Sequence, residues 1–96
     1  MIRVKVRPDN VLVKGHAMAA EHGKDIVCSA VTMLTMNLIQ SILSLTEDKI
    51  EYEIETGCIQ LRYEKNLSEV SKTLIDSFFI GICMMSESYP ENVRIE

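Results

Sequence analysis

From Ile26 to Thr46 the chain carries no charged side chain, and this stretch constrains the fold more than any other. Val27, Val31, Leu34, Leu38, Ile42 and Leu45 recur at helical spacing, and Ile26, Met33, Met36 and Ile39 widen the apolar surface well beyond one stripe. A helix of this kind must be covered on more than one side. Its length would span a bilayer. Ser29, Thr32, Thr35, Asn37, Gln40, Ser41, Ser44 and Thr46, however, place in one span many polar groups that would need partners in lipid. The sequence therefore predicts no membrane segment but a central helix, beginning after an N-cap at Asp25 and buried between a sheet and a second surface. That second surface can be another copy of the chain, so a homodimer is expected.

The flanking segments supply the sheet. Ile2, Val4 and Val6 alternate with Arg3, Lys5 and Arg7, the period of a strand with one dry face. Pro8-Asp9-Asn10 breaks it, and Val11-Leu12-Val13 leads into Gly15-His16, which predicts a hairpin whose second strand ends at the histidine. Ile50, Tyr52 and Ile54 alternate with Glu51, Glu53 and Glu55, Thr56-Gly57 turns the chain, and Ile59, Leu61 and Tyr63 follow as a second hairpin. Ser68 is expected to cap a second helix carrying Val70, Leu74, Ile75, Phe78, Ile82 and Met85 at core spacing. Tyr89-Pro90 closes it before a last short strand around Val93 and Ile95. The expected fold is α+β: one domain over residues 1–96, with an antiparallel or mixed sheet of about five strands and two helices on one face, in the order strand, strand, helix, strand, strand, helix, strand.

A chain of 96 residues has room for one modest core. With 10 Lys and Arg against 14 Asp and Glu, the net charge of -4 argues against a general phosphate-binding surface, so no direct nucleic-acid contact is expected. Cys28, Cys58 and Cys83 are an odd number at wide spacing and the N-terminus does not read as a signal peptide, which points to a reducing, cytoplasmic setting.

Cys28 falls at the third helical position after Asp25, where unpaired N–H groups and the helix dipole favour the thiolate, the reactive form. His16, on the strand end leading toward that helix, is the candidate base, and backbone N–H groups at the helix start would stabilise an oxyanion in acyl transfer. Each element also has a structural reading. From pattern alone a cysteine in an apolar helix is most often a buried small hydrophobe, and His16 a surface residue. Asp25 needs no role beyond capping. His22, after Glu21, is a solvated side chain or a fallback base. His16, His22 and Cys28 match no common zinc module, so neither a metal nor a cofactor is expected. Cys58 and Cys83 read as structural. Ala17 to Lys24 shows no sustained period and reads as a loop. A non-catalytic homodimeric binding module, with Cys28 merely packed, is the alternative function.

Gly15-His16-Ala17 followed by Gly23-Lys24-Asp25-Ile26-Val27-Cys28 resembles the ribosomal-processing cysteine proteases of Firmicutes and related bacteria, and the resemblance runs to the closing Tyr-Pro-Glu-Asn-Val-Arg-Ile segment. It implies a thiol endopeptidase, often homodimeric, that removes the N-terminal extension of the large-subunit ribosomal protein numbered twenty-seven, cutting after an aromatic residue. Carried over by position, Cys28 is the nucleophile, His16 the base and Asp25 the acidic member of the motif. Thr32 stands where the family frequently has Ser, keeping a secondary hydroxyl. The resemblance makes the loop containing Ala17, Glu21, His22, Gly23 and Lys24 a cover for the substrate.

Overall fold

The alternating N-terminal segments pair as the pattern predicts. β1 (Ile2–Val6) and β2 (Asn10–Lys14) form an antiparallel hairpin in which Val4 faces Val13 and Val6 faces Val11. The computed structural model describes residues 1–15 and 24–96, Lys24 and Asp25 through their backbone alone. After β2 come α1 (Lys24–Leu45), β3 (Ile50–Glu55), β4 (Cys58–Tyr63), α2 (Glu69–Ser88) and β5 (Val93–Ile95), the expected order.

The five strands lie in the order β3-β4-β2-β1-β5. Three neighbouring pairs are antiparallel and β1 with β5 is parallel, so the sheet is mixed. β4 pairs with β2 across the chain, Val11 opposite Leu61 and Val13 opposite Ile59. Each helix therefore links strands that are not neighbours: α1 carries the chain from β2 past β4 to β3, and α2 from β4 past β2 and β1 to β5. Ile2, Val4, Val11, Val13, Ile59, Leu61, Tyr63 and Val93 share the dry face of the sheet. The two helices pack there, contributing Val27, Val31, Leu38, Ile39 and Ile42 from α1 and Ile75, Phe78 and Ile82 from α2.

Helix α1 is long and apolar enough to cross a membrane, but its buried stripe is occupied by this sheet. Thr35, wholly buried within the stripe, donates its hydroxyl hydrogen bond to the Val31 carbonyl at 2.7 Å and so leaves no polar group unpaired. The helix begins at Lys24, which corrects two expectations. Lys24 is helical rather than part of the preceding loop. Asp25 is the second helical residue rather than the N-cap, a position in the first turn where negative charge is also favoured by the helix dipole. Cys28 is consequently the fifth helical residue, one turn in.

The second helix starts as expected. Ser68 caps α2 by accepting from the Ser71 N–H at 3.3 Å. Asp48, in the connection after α1, binds this cap: its carboxylate accepts from the Ser68 hydroxyl at 2.6 Å, from the Ser68 N–H at 3.1 Å and from the buried Ser71 hydroxyl. The Asp48 N–H in turn donates to the Thr46 hydroxyl at 3.1 Å. These bonds, led by the Ser68 hydroxyl, hold the Asp48 carboxyl below the usual carboxylate range. They tie the end of one helix to the beginning of the next.

One part of the pattern does not bury as its alternation predicts. The register sets Tyr52 opposite Leu61 and Ile54 opposite Ile59, on the dry face of the sheet. Leu61 and Ile59 are 0% and 6% exposed, yet Tyr52 and Ile54 are 43% and 47% exposed. β3 is an edge strand.

Candidate active site

The start of α1 meets the sheet at the end where β2 finishes and β3 turns into β4. Gly15, directly after β2, has φ +104°, a conformation that L side chains rarely adopt. Its N–H donates to the Gly57 carbonyl at 2.9 Å, and Gly57 itself lies in the β3–β4 turn with φ 76°. A Cβ on Gly15 would overlap the carbonyl oxygen of Met1. Two glycines thus bring the exit of β2 and the tip of the second hairpin together, directly beneath the first turns of α1.

Between them is a pocket of about 260 Å³. Cys28 and Thr32, one helical turn apart, form the wall from α1. Val13 contributes from β2, Gly15 from the exit of that strand, and Ile54, Glu55, Thr56, Gly57, Cys58 and Ile59 from the second hairpin. Cys28 is partly buried, with neither the full exposure of a surface thiol nor the complete burial of a packed one.

The structure places the expected site residues unevenly. Cys28 and Thr32 line one pocket. His16, Ala17, Glu21, His22 and Gly23 lie outside the described residues, and Lys24 and Asp25 are fixed through their helical backbone. The β3–β4 turn was legible as a turn but not as a wall of the site, because its approach to α1 follows from β4 pairing with β2 rather than from any local signal. Cys58, read as structural, lines the same pocket as Cys28. Strand alternation nevertheless sets it on the face opposite the buried Ile59, Leu61 and Tyr63. Among the described residues no cluster of His, Cys, Asp and Glu could hold a metal ion.

Both the sequence and the fold of this chain have relatives among known proteins. The profile of the family described as cysteine protease Prp matches residues 1–94. The chain belongs to the cysteine protease Prp family. The ribosomal processing cysteine protease Prp of Staphylococcus aureus is 25% identical over 88 residues, spanning 90% of this chain and 83% of the relative. Two crystal structures of the S. aureus Prp share the fold. The complex with a substrate peptide superposes with a TM-score of 0.85 at 20% identity, covering 99% of this chain and 95% of the other. The complex with a covalently linked product peptide gives 0.84 at 21%, with the same coverage. Membership in the Prp family makes the chain a thiol protease and confirms the five-stranded mixed sheet with two helices as a family fold.

Proposed function

We propose that this chain is the endopeptidase that removes the N-terminal extension of the large-subunit ribosomal protein numbered twenty-seven, with Cys28 as nucleophile and His16 as base. The observation that carries the reading is Cys28 partly buried in the wall of a pocket at the start of α1, in a chain of the Prp family. Sγ of Cys28 attacks the scissile carbonyl carbon while its proton passes to His16. The C–S bond forms, the C–N bond breaks, and the leaving amine takes the proton from the imidazole. Water, deprotonated by His16, then attacks the thioester, releases the new carboxylate and returns the thiol. Backbone N–H groups of the first turn of α1, which have no partner four residues earlier, stabilise the oxyanion. Asp25 supports the helix start, and the segment containing Ala17, Glu21, His22 and Gly23 covers the substrate.

The setting is cytoplasmic, where ribosomal precursors are made and the thiol stays reduced. The working unit is a homodimer joined through the outer face of the helices. Met33 and Met84, both about two-thirds exposed, flank a groove of about 500 Å³ between α1 and α2. The test of the function is mass spectrometry of the ribosomal precursor after incubation with wild-type, Cys28→Ala and His16→Ala protein. Wild type yields two fragments and each variant leaves the precursor whole with its circular dichroism unchanged. Full cleavage by either variant would refute the assignment.

A further inference from the structure

Edge strand β3 carries two rows of side chains that the cleavage chemistry does not use. On the helix side are Tyr52 and Ile54, placed by register with the core and left 43% and 47% exposed. On the other side are Glu51, Glu53 and Glu55, all exposed; among the described residues Glu53 alone of the three meets a cation, Arg62 at 3.2 Å. Among the described residues, β3 has a strand partner on one side, β4. An edge of this kind presents unpaired N–H and C=O groups, and a sheet edge with an uncovered apolar row invites another strand. The row is continuous with the site, because Ile54 and Glu55 also line the pocket that holds Cys28.

Resting on the protease reading, we infer that the substrate docks as an added strand along β3. Its apolar side chains, at every second position, lie beside Tyr52 and Ile54. The residues between them, basic or neutral, lie beside the Glu51, Glu53 and Glu55 row. The segment leaves the edge at the Ile54 end and enters the pocket in front of Cys28. Charge selects this occupant: three carboxylates in line repel an acidic strand and attract a basic one. The apolar row selects against uniformly polar peptides.

The test uses the full chain and peptides of one cleavage sequence extended by a segment alternating Leu and Lys. Tyr52→Thr keeps a good strand-former while removing the ring. It should raise KM about five- to tenfold, the effect expected for losing roughly 50 Å² of apolar contact, with kcat within about twofold of wild type. N-methylation of alternate peptide amides supplies a readout that a side-chain contact alone would not give. One alternating set, facing β3, should raise KM at least about tenfold by removing ladder hydrogen bonds and the other set much less. Equal effects from both sets, or an unchanged KM in Tyr52→Thr, would overturn strand addition while leaving the protease intact. A dimer lost in Tyr52→Thr with KM unchanged would also overturn it, by assigning the edge to a second copy. No cleavage of any peptide by wild type would overturn the protease reading and strand addition together.

Discussion

Replacing Gly15 with alanine should be among the most damaging single changes a methyl group can make in this chain. With φ +104° the position lies in a region costing a non-glycine residue about 1–3 kcal/mol. The added Cβ would overlap the Met1 carbonyl oxygen while standing 3.3 Å from the Met1 carbonyl carbon and 3.6 Å from the Ile2 Cα. That backbone cannot yield freely, because Ile2 is buried and its N–H donates to the Asn92 carbonyl at 2.8 Å, tying it to the approach to β5. If Gly15 moves instead, its bond to the Gly57 carbonyl is lost, about 1 kcal/mol more. The sum is about 3 kcal/mol, a large part of the roughly 5–14 kcal/mol expected for a domain of this size. Thermal unfolding followed by circular dichroism should show a midpoint lower by about 12–24 °C. Gly57→Asn, at φ 76° where asparagine is tolerated, should lose about 1 kcal/mol or less. A Gly15→Ala protein melting within about 3 °C of wild type would refute the reasoning, since neither strain nor overlap would then be present.

Two further outcomes follow from groups away from the site. Asp48 has its folded pKa lowered, so its stabilisation is fully present above the unfolded carboxylate value near 3.8 and is lost as pH falls through the folded value. Asp48→Asn should therefore melt lower than wild type at neutral pH and converge with it in strong acid; a difference that persists undiminished at low pH would contradict the linkage. Met33→Glu, on the outer face of α1, should turn a sedimenting dimer into a monomer without loss of helicity, and a wild-type chain already monomeric at tens of micromolar would contradict the dimer.

The fold was largely readable because its patterns are local. Two alternating hairpins, an uncharged helix and the Ser68 cap each declare themselves within a few residues, and all seven elements form in the expected order. The Tyr52 and Ile54 alternation predicts a dry face correctly but not its cover, because cover depends on β3 lying at the edge of the sheet. The start of α1 moved by two residues for a related reason: an acidic residue is favoured both before a helix and in its first turn, so Asp25 marks the terminus without fixing it. In the site, helix position alone left Cys28 reading as a packed side chain, and the family resemblance was what marked it as a candidate nucleophile. The wall opposite it, from Ile54 to Ile59, was not legible, since it arises from a pairing between β2 and β4 that spans the whole of α1.

Cys28, and neither Cys58 in the same pocket nor Cys83 on α2, should form the covalent intermediate. This is tested most directly by acid-quenching the reaction with a slowly hydrolysed peptide ester and mapping the acyl adduct by mass spectrometry of proteolytic fragments. The adduct should be confined to the fragment containing Cys28 and absent from Cys28→Ala protein. An adduct on Cys58 or Cys83, or continued turnover by Cys28→Ala, would contradict it.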